Sequence, residues 1–118
     1  MLAFPSSVRI FLFTQPTDMR KGFDGLSAIV RKYGEDVFSG HLFVFTSRNR
    51  ERIKILTWSA GGFILFYKRL EKGRFKVPRY DEEMDTVSLE AGQLSMLLDG
   101  IDFSRVRQPP RWNPPCRK

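Results

Sequence analysis

Apolar residues come in short runs separated by polar breaks, and the spacing within each run predicts its element. Val8 to Phe13 (VRIFLF) combines β-branched and aromatic residues and is expected to form a strand. Gln15-Pro16-Thr17-Asp18 ends it, and Thr17 or Asp18 can cap a following helix. Phe23, Leu26, Ile29 or Val30, and Tyr33 recur at helical spacing. They predict an amphipathic helix over residues 20–33, with Gly34 as its left-handed cap. Leu42 to Phe45 (LFVF) reads as a buried strand, and the polar Thr46–Glu51 stretch as a hairpin loop. Arg52 to Trp58 places Ile53 and Ile55 on one side of the pleat, with Lys54, Leu56 and Trp58 on the other. Ser59-Ala60-Gly61-Gly62 supplies a turn, and Phe63 to Lys68 returns as the next strand.

Beyond the turn at Lys72-Gly73, the sheet can extend through Arg74-Phe75-Lys76-Val77 as far as Pro78. Residues 79–86 are polar and acidic and read as a loop. Ala91, Leu94, Leu98 and Ile101 mark a second helix over residues 90–99, closed by Gly100. The fold class expected is α+β: a small antiparallel β-meander of four to five strands with two amphipathic helices on one face. Residues 1–103 are expected to form one domain. The basic, Pro-rich stretch 104–118, with Pro109, Pro110, Pro114 and Pro115, is expected to be a flexible tail.

Composition narrows the chemistry. The chain has 118 residues, 42% of them hydrophobic, with eleven Phe, three Tyr and two Trp, which is enough for a core and excludes global disorder. One cysteine, Cys116, excludes a disulfide framework, and with His41 as the only histidine no Cys/His zinc set can form. The apolar N-terminus is interrupted by Pro5 and Arg9, so neither a membrane span nor a secretory signal is read there, and the chain is expected to be cytoplasmic.

The net charge of +7 is distributed in blocks. Residues 47–80 hold ten basic residues against Glu51 and Glu71, whereas residues 81–102 hold seven acids and no Lys or Arg. Such blocks suggest a basic contact surface beside an acidic segment. No catalytic constellation accompanies them. Two-metal strand transfer needs clustered carboxylates, but Asp18 and Asp24 sit around the first helix, where a cap and a first-turn acid are the natural readings. His41 has no nucleophile near it in sequence, and Gly61-Gly62 lacks the Lys-Ser/Thr of a phosphate loop. The chain is therefore read as a non-enzyme that requires no cofactor.

The positive signal is the basic hairpin. Arg48, Asn49, Arg50 and Arg52 lie at or beside the loop tip, with Lys54 following on the outgoing strand. Period two would put Arg50, Arg52 and Lys54 on one face, a ribbon suited to a DNA groove or its phosphates. Lys68, Arg69, Lys72, Arg74, Lys76 and Arg79 follow around the next turn and could continue the stripe. Trp58 shares the Lys54 face and is read as core. Arg20-Lys21 at the start of the first helix opposes its dipole, which suits either a bound anion or pairing with the acids of 81–85.

Four segments carry a family resemblance: TDMRKGFDGL (17–26), FSGHLFVF (38–45), YKRLEKGRF (67–75) and LLDGID (97–102). Together they resemble the TnpB accessory proteins of the insertion-sequence-66 family, which are unrelated to the RNA-guided nuclease of the same name. The resemblance covers about residues 5–103. Ser59-Ala60-Gly61-Gly62 departs from the family's Asp-Gly turn, and Glu90-Ala91 from the Thr-Pro that opens the last helix, which leaves that helix without a good cap. The resemblance implies a non-catalytic accessory role in DNA transposition, beside a separate transposase and a second small accessory protein. Two readings follow. In one, the protein contacts DNA through Arg48, Arg50, Arg52 and Lys54, assisted by Arg20, Lys21, Lys68, Arg69, Lys72 and Arg74. In the other, it is an adaptor docked to the transposase or the second accessory protein, touching DNA little. Oligomeric state stays open, because an exposed sheet edge could pair or be covered.

Overall fold

Strand β1 (Ile10–Phe13) is apolar at every position, so both of its faces need cover. In the computed structural model, which describes residues 7–101, each face is covered by one helix. Phe13, Phe43, Phe45 and Leu56 meet Leu26 and Val30 of α1 (Phe23–Lys32) on one side. Ile10, Leu12, Leu42, Val44, Ile53 and Ile55 meet Leu94 and Leu97 of α2 (Ala91–Leu98) on the other. The expectation that both helices share a face is corrected by this alternation. Each fully buried Phe, Leu or Ile contributes roughly 1.5–3 kcal/mol, so neither apolar face could be left in water.

The sheet has five strands in the order β4-β3-β2-β1-β5. Strands β2 (Leu42–Thr46), β3 (Arg52–Ser59) and β4 (Gly62–Arg69) form the expected antiparallel meander. Strand β1 instead pairs parallel to β2, Ile10 beside Leu42 and Leu12 beside Val44, with α1 as the crossover between them. Strand β5 (Thr86–Leu89), absent from the sequence-based expectation, pairs antiparallel to β1 from Phe13↔Thr86 to Ile10↔Leu89. The class is α+β as expected, with a mixed, mostly antiparallel sheet. The β3–β4 turn places Ala60 at φ 47° and Gly61 at φ 83°, the double left-handed geometry that matches strand twist in a two-residue hairpin.

Three further local expectations change. Helix α1 begins at Phe23, so Asp18 caps no helix; it accepts the Arg20 N–H at 2.9 Å in the turn before it. Helix α2 does have an N-terminal cap, because the Gln93 side chain accepts the Glu90 N–H at 2.8 Å. Residues 74–77 do not extend the sheet; they cross the end of the β2–β3 hairpin, with Phe75 buried in the α2-side core. The stretch 104–118, expected to be a tail, lies outside the described residues.

Candidate nucleic-acid interface

The β2–β3 loop is a tight turn built by its own side chains. The Arg50 N–H donates to the Ser47 carbonyl at 3.0 Å, and the Ser47 N–H to the Arg52 carbonyl at 3.0 Å. Asn49 Oδ1 accepts the Ser47 hydroxyl at 2.8 Å and the Glu51 N–H at 3.2 Å. Arg50 sits at φ 60°, a left-handed conformation where a non-glycine residue is uncommon and costs about 1–2 kcal/mol. The crossing segment stabilises this shape, with Leu70 N–H donating to the Glu51 carbonyl at 2.8 Å and Phe75 N–H to the Arg50 carbonyl at 2.7 Å.

That crossing assembles the site. Phe75 points into the core at 1% exposure, so its extended neighbours Arg74 and Lys76 remain on the surface beside the tip. A groove of about 400 Å³ results, lined by Arg48, Asn49, Arg50, Arg74, Phe75, Lys76 and Val77, and among the described residues no carboxylate borders it. The same two tip arginines, Arg48 and Arg50, also line a cleft of about 320 Å³, walled by Gln15, Thr46, Ser47, Tyr80 and Glu82 among others. The acidic loop beside it is tied to the end of β1, where the Thr14 hydroxyl donates to the Met84 carbonyl at 2.8 Å. Arg48 and Arg50 thus line both a groove whose described charged residues are all basic and a cleft of mixed charge.

The remaining candidates divide. Among the described residues the ion pairs are Arg20–Asp18 at 2.7 Å and Arg69–Glu71 at 2.8 Å, both at the surface. Hydrogen bonds from the Arg20 side chain and then its backbone hold the Asp18 carboxyl down at about 2, and those from Arg69 to Glu71 raise the guanidinium's pKa. Arg20 and Lys21 precede α1 rather than begin it, and Arg20 pairs with Asp18, not with the acids of 81–85. Arg52 is exposed and lies directly across from Arg69, two cations facing each other on the α1 side of the sheet. Lys72 and Arg74 are exposed, but only Arg74 joins the groove.

Two lysines are committed elsewhere. Lys54 is buried, and its Nζ donates to the carbonyls of Met19 at 2.7 Å and Lys21 at 2.8 Å, 4.5 Å from the Tyr67 ring centroid. Its expected place on an exposed basic face is therefore corrected: the period-two alternation is right, but α1's approach closes over it. Lys68 Nζ donates to the Leu98 carbonyl at 2.6 Å and so binds the C-terminal end of α2, where a cation also complements the helix dipole. Lys76, expected only as a continuation of the basic stripe and not among the contact residues, lines the groove; its alternation with Phe75 was the available signal. Tyr80 and Gln15 carry no sequence signal that would place them beside the tip. His41 borders β2, its Nδ1 accepting the Arg9 N–H at 3.0 Å, and Trp58 packs edge-on against Phe38 and Phe63.

The profile of a family described as IS66 Orf2 like protein matches residues 8–108, nearly the whole fold. The chain belongs to this family. It is also similar to two uncharacterized proteins of Sinorhizobium fredii. It is 34% identical to y4jC over 111 residues (93% of each chain) and 38% identical to y4hO over 116 residues (97% of this chain and 96% of the relative). No solved structure matches. Family membership implies a transposition-associated accessory role, and the family is not a known catalytic one. Among the described residues no group of three or more His, Cys, Asp or Glu could hold a metal ion, and no helix is long and apolar enough to cross a membrane.

Proposed function

We propose that this protein is a non-catalytic accessory factor in DNA transposition that holds the phosphate backbone of DNA in the groove formed by Arg48, Arg50, Arg74 and Lys76. The observation that carries this reading is the groove itself: four cations around one concavity, none in an ion pair with a described residue, and no described carboxylate on the lining. A phosphate ester supplies the missing negative charge, and guanidinium groups match its oxygens in a fork geometry. Arg52, Lys72 and Arg69 are exposed nearby in the chain and extend the positive field, whereas Lys54 and Lys68 support the fold. Backbone contacts of this kind position DNA without reading its sequence, which suits a factor that serves a separate transposase.

Salt-dependent binding to a DNA duplex tests the reading. Affinity should fall with a log–log slope near −0.9 for each phosphate neutralised, and Arg48→Ala/Arg50→Ala should flatten the slope by roughly two. Folding should change by no more than about 0.5 kcal/mol, since both residues are in a surface loop. A folded double variant that binds DNA like the parent but no longer associates with the transposase would replace this reading with the protein adaptor.

A further inference from the structure

The two edges of the sheet are built differently. Strand β5 is four residues long and carries Thr86 and Ser88, a short polar edge of the kind that resists pairing. Strand β4 is eight residues long, and Phe63, Ile64, Leu65, Phe66 and Tyr67 follow one another along it. Ile64, Phe66 and Tyr67 remain 46%, 45% and 48% exposed, apolar surface on both faces of an edge that no described strand covers. It has no proline, and its charges come only at one end, as Lys68 and Arg69.

We propose that the protein forms a two-fold dimer by pairing β4 of two copies antiparallel, with Leu65 on the axis. The strand is self-complementary in this register. Leu65 faces Leu65 of the second copy, Ile64 faces the second copy's Phe66, and Phe63 faces the second copy's Tyr67. Every side chain in the central five pairs with an apolar one, and aromatic and aliphatic cross-strand pairs are each worth about 0.2–1 kcal/mol beyond Ala pairs. Charge placement selects the same arrangement. Lys68 and Arg69 fall opposite the second copy's Gly62 and Gly61, which have no side chain, whereas parallel pairing in register would stack the cations on each other. Backbone direction agrees as well. The two-residue turn closes on Ser59 and Gly62, so alternation along the ladder turns the N–H and C=O groups of Phe63, Leu65 and Tyr67 toward the free edge. The dimer would therefore have one continuous ten-stranded sheet and would place the two basic tips at opposite ends of the paired strands.

Sedimentation equilibrium of the full chain, without DNA, tests this together with cross-linking. The parent should show twice the mass of the chain at micromolar concentration. Phe66→Lys should shift it to monomer with an unchanged circular dichroism spectrum, because the position is half exposed. With Cys116→Ser, Leu65→Cys should oxidise to a cross-linked dimer, since Cα atoms opposed across a ladder lie about 5.5 Å apart, within disulfide range. Ile64→Cys in the same background should not, because diagonal neighbours lie about 7–8 Å apart. A monomeric parent, or a dimer that survives Phe66→Lys and cross-links through Ile64→Cys but not Leu65→Cys, would overturn the proposal.

Discussion

Lys54 and the Arg48–Arg50 tip come from one basic run but have opposite fates. Lys54 enters the interior, where two backbone carbonyls and an aromatic face receive its ammonium. The tip arginines stay at the surface with Arg74 and Lys76, around a groove that no acid among the described residues lines. Charge and alternation are the same in both regions; the difference lies in what the rest of the chain brings to each. The turn before α1 carries two carbonyls to Lys54, and the segment after β4 brings further cations to the tip. A buried cation supplied with acceptors supports the fold, whereas clustered cations lacking them form a surface suited to an anionic partner.

The largest effect is expected at Phe75, whose burial presents Arg74 and Lys76. Phe75→Ala should cost about 3–5 kcal/mol in chemical denaturation and should weaken DNA binding even where the chain remains folded. Next is Lys54→Met, which keeps the volume but leaves the Met19 and Lys21 carbonyls without their donor. A loss of about 2 kcal/mol is expected, with the salt dependence of DNA binding unchanged. Arg50→Gly gives the smallest stability change and the opposite sign. Glycine accepts the left-handed backbone, so denaturation should show a gain of up to about 1 kcal/mol, while DNA affinity falls. Stability and binding would then move in opposite directions at the tip, as they would not at Lys54.

The same contrast explains what could be read from the sequence. Four strands, both helices and the β2–β4 meander follow from periodicity and turn residues, because those signals are local. The expectation of both helices on one face passed over the one signal available, the unbroken apolar run Ile10–Phe13, which needs cover on both of its faces. Strand β5 was not legible, since Thr-Val-Ser-Leu beside an acidic loop becomes a strand only through its pairing with β1. Arg48 and Arg50 were legible as a loop tip. Lys54 was misplaced because its acceptors come from more than thirty residues earlier in the chain, and Lys76 was read only as part of the stripe because its place at the tip depends on Phe75 crossing the hairpin.

Arg48 and Arg50 are distant in sequence from Arg74 and Lys76, and the salt slope measures directly whether all four act on one ligand. Replacing Arg48, Arg50, Arg74 and Lys76 together with Ala should reduce the log–log slope of duplex affinity against salt by about 3.6, with Arg48→Ala/Arg50→Ala and Arg74→Ala/Lys76→Ala each supplying about half. A slope that responds to Arg48 and Arg50 but not to Arg74 and Lys76, or that stays at its parent value in the folded quadruple variant, would contradict the groove as the DNA contact.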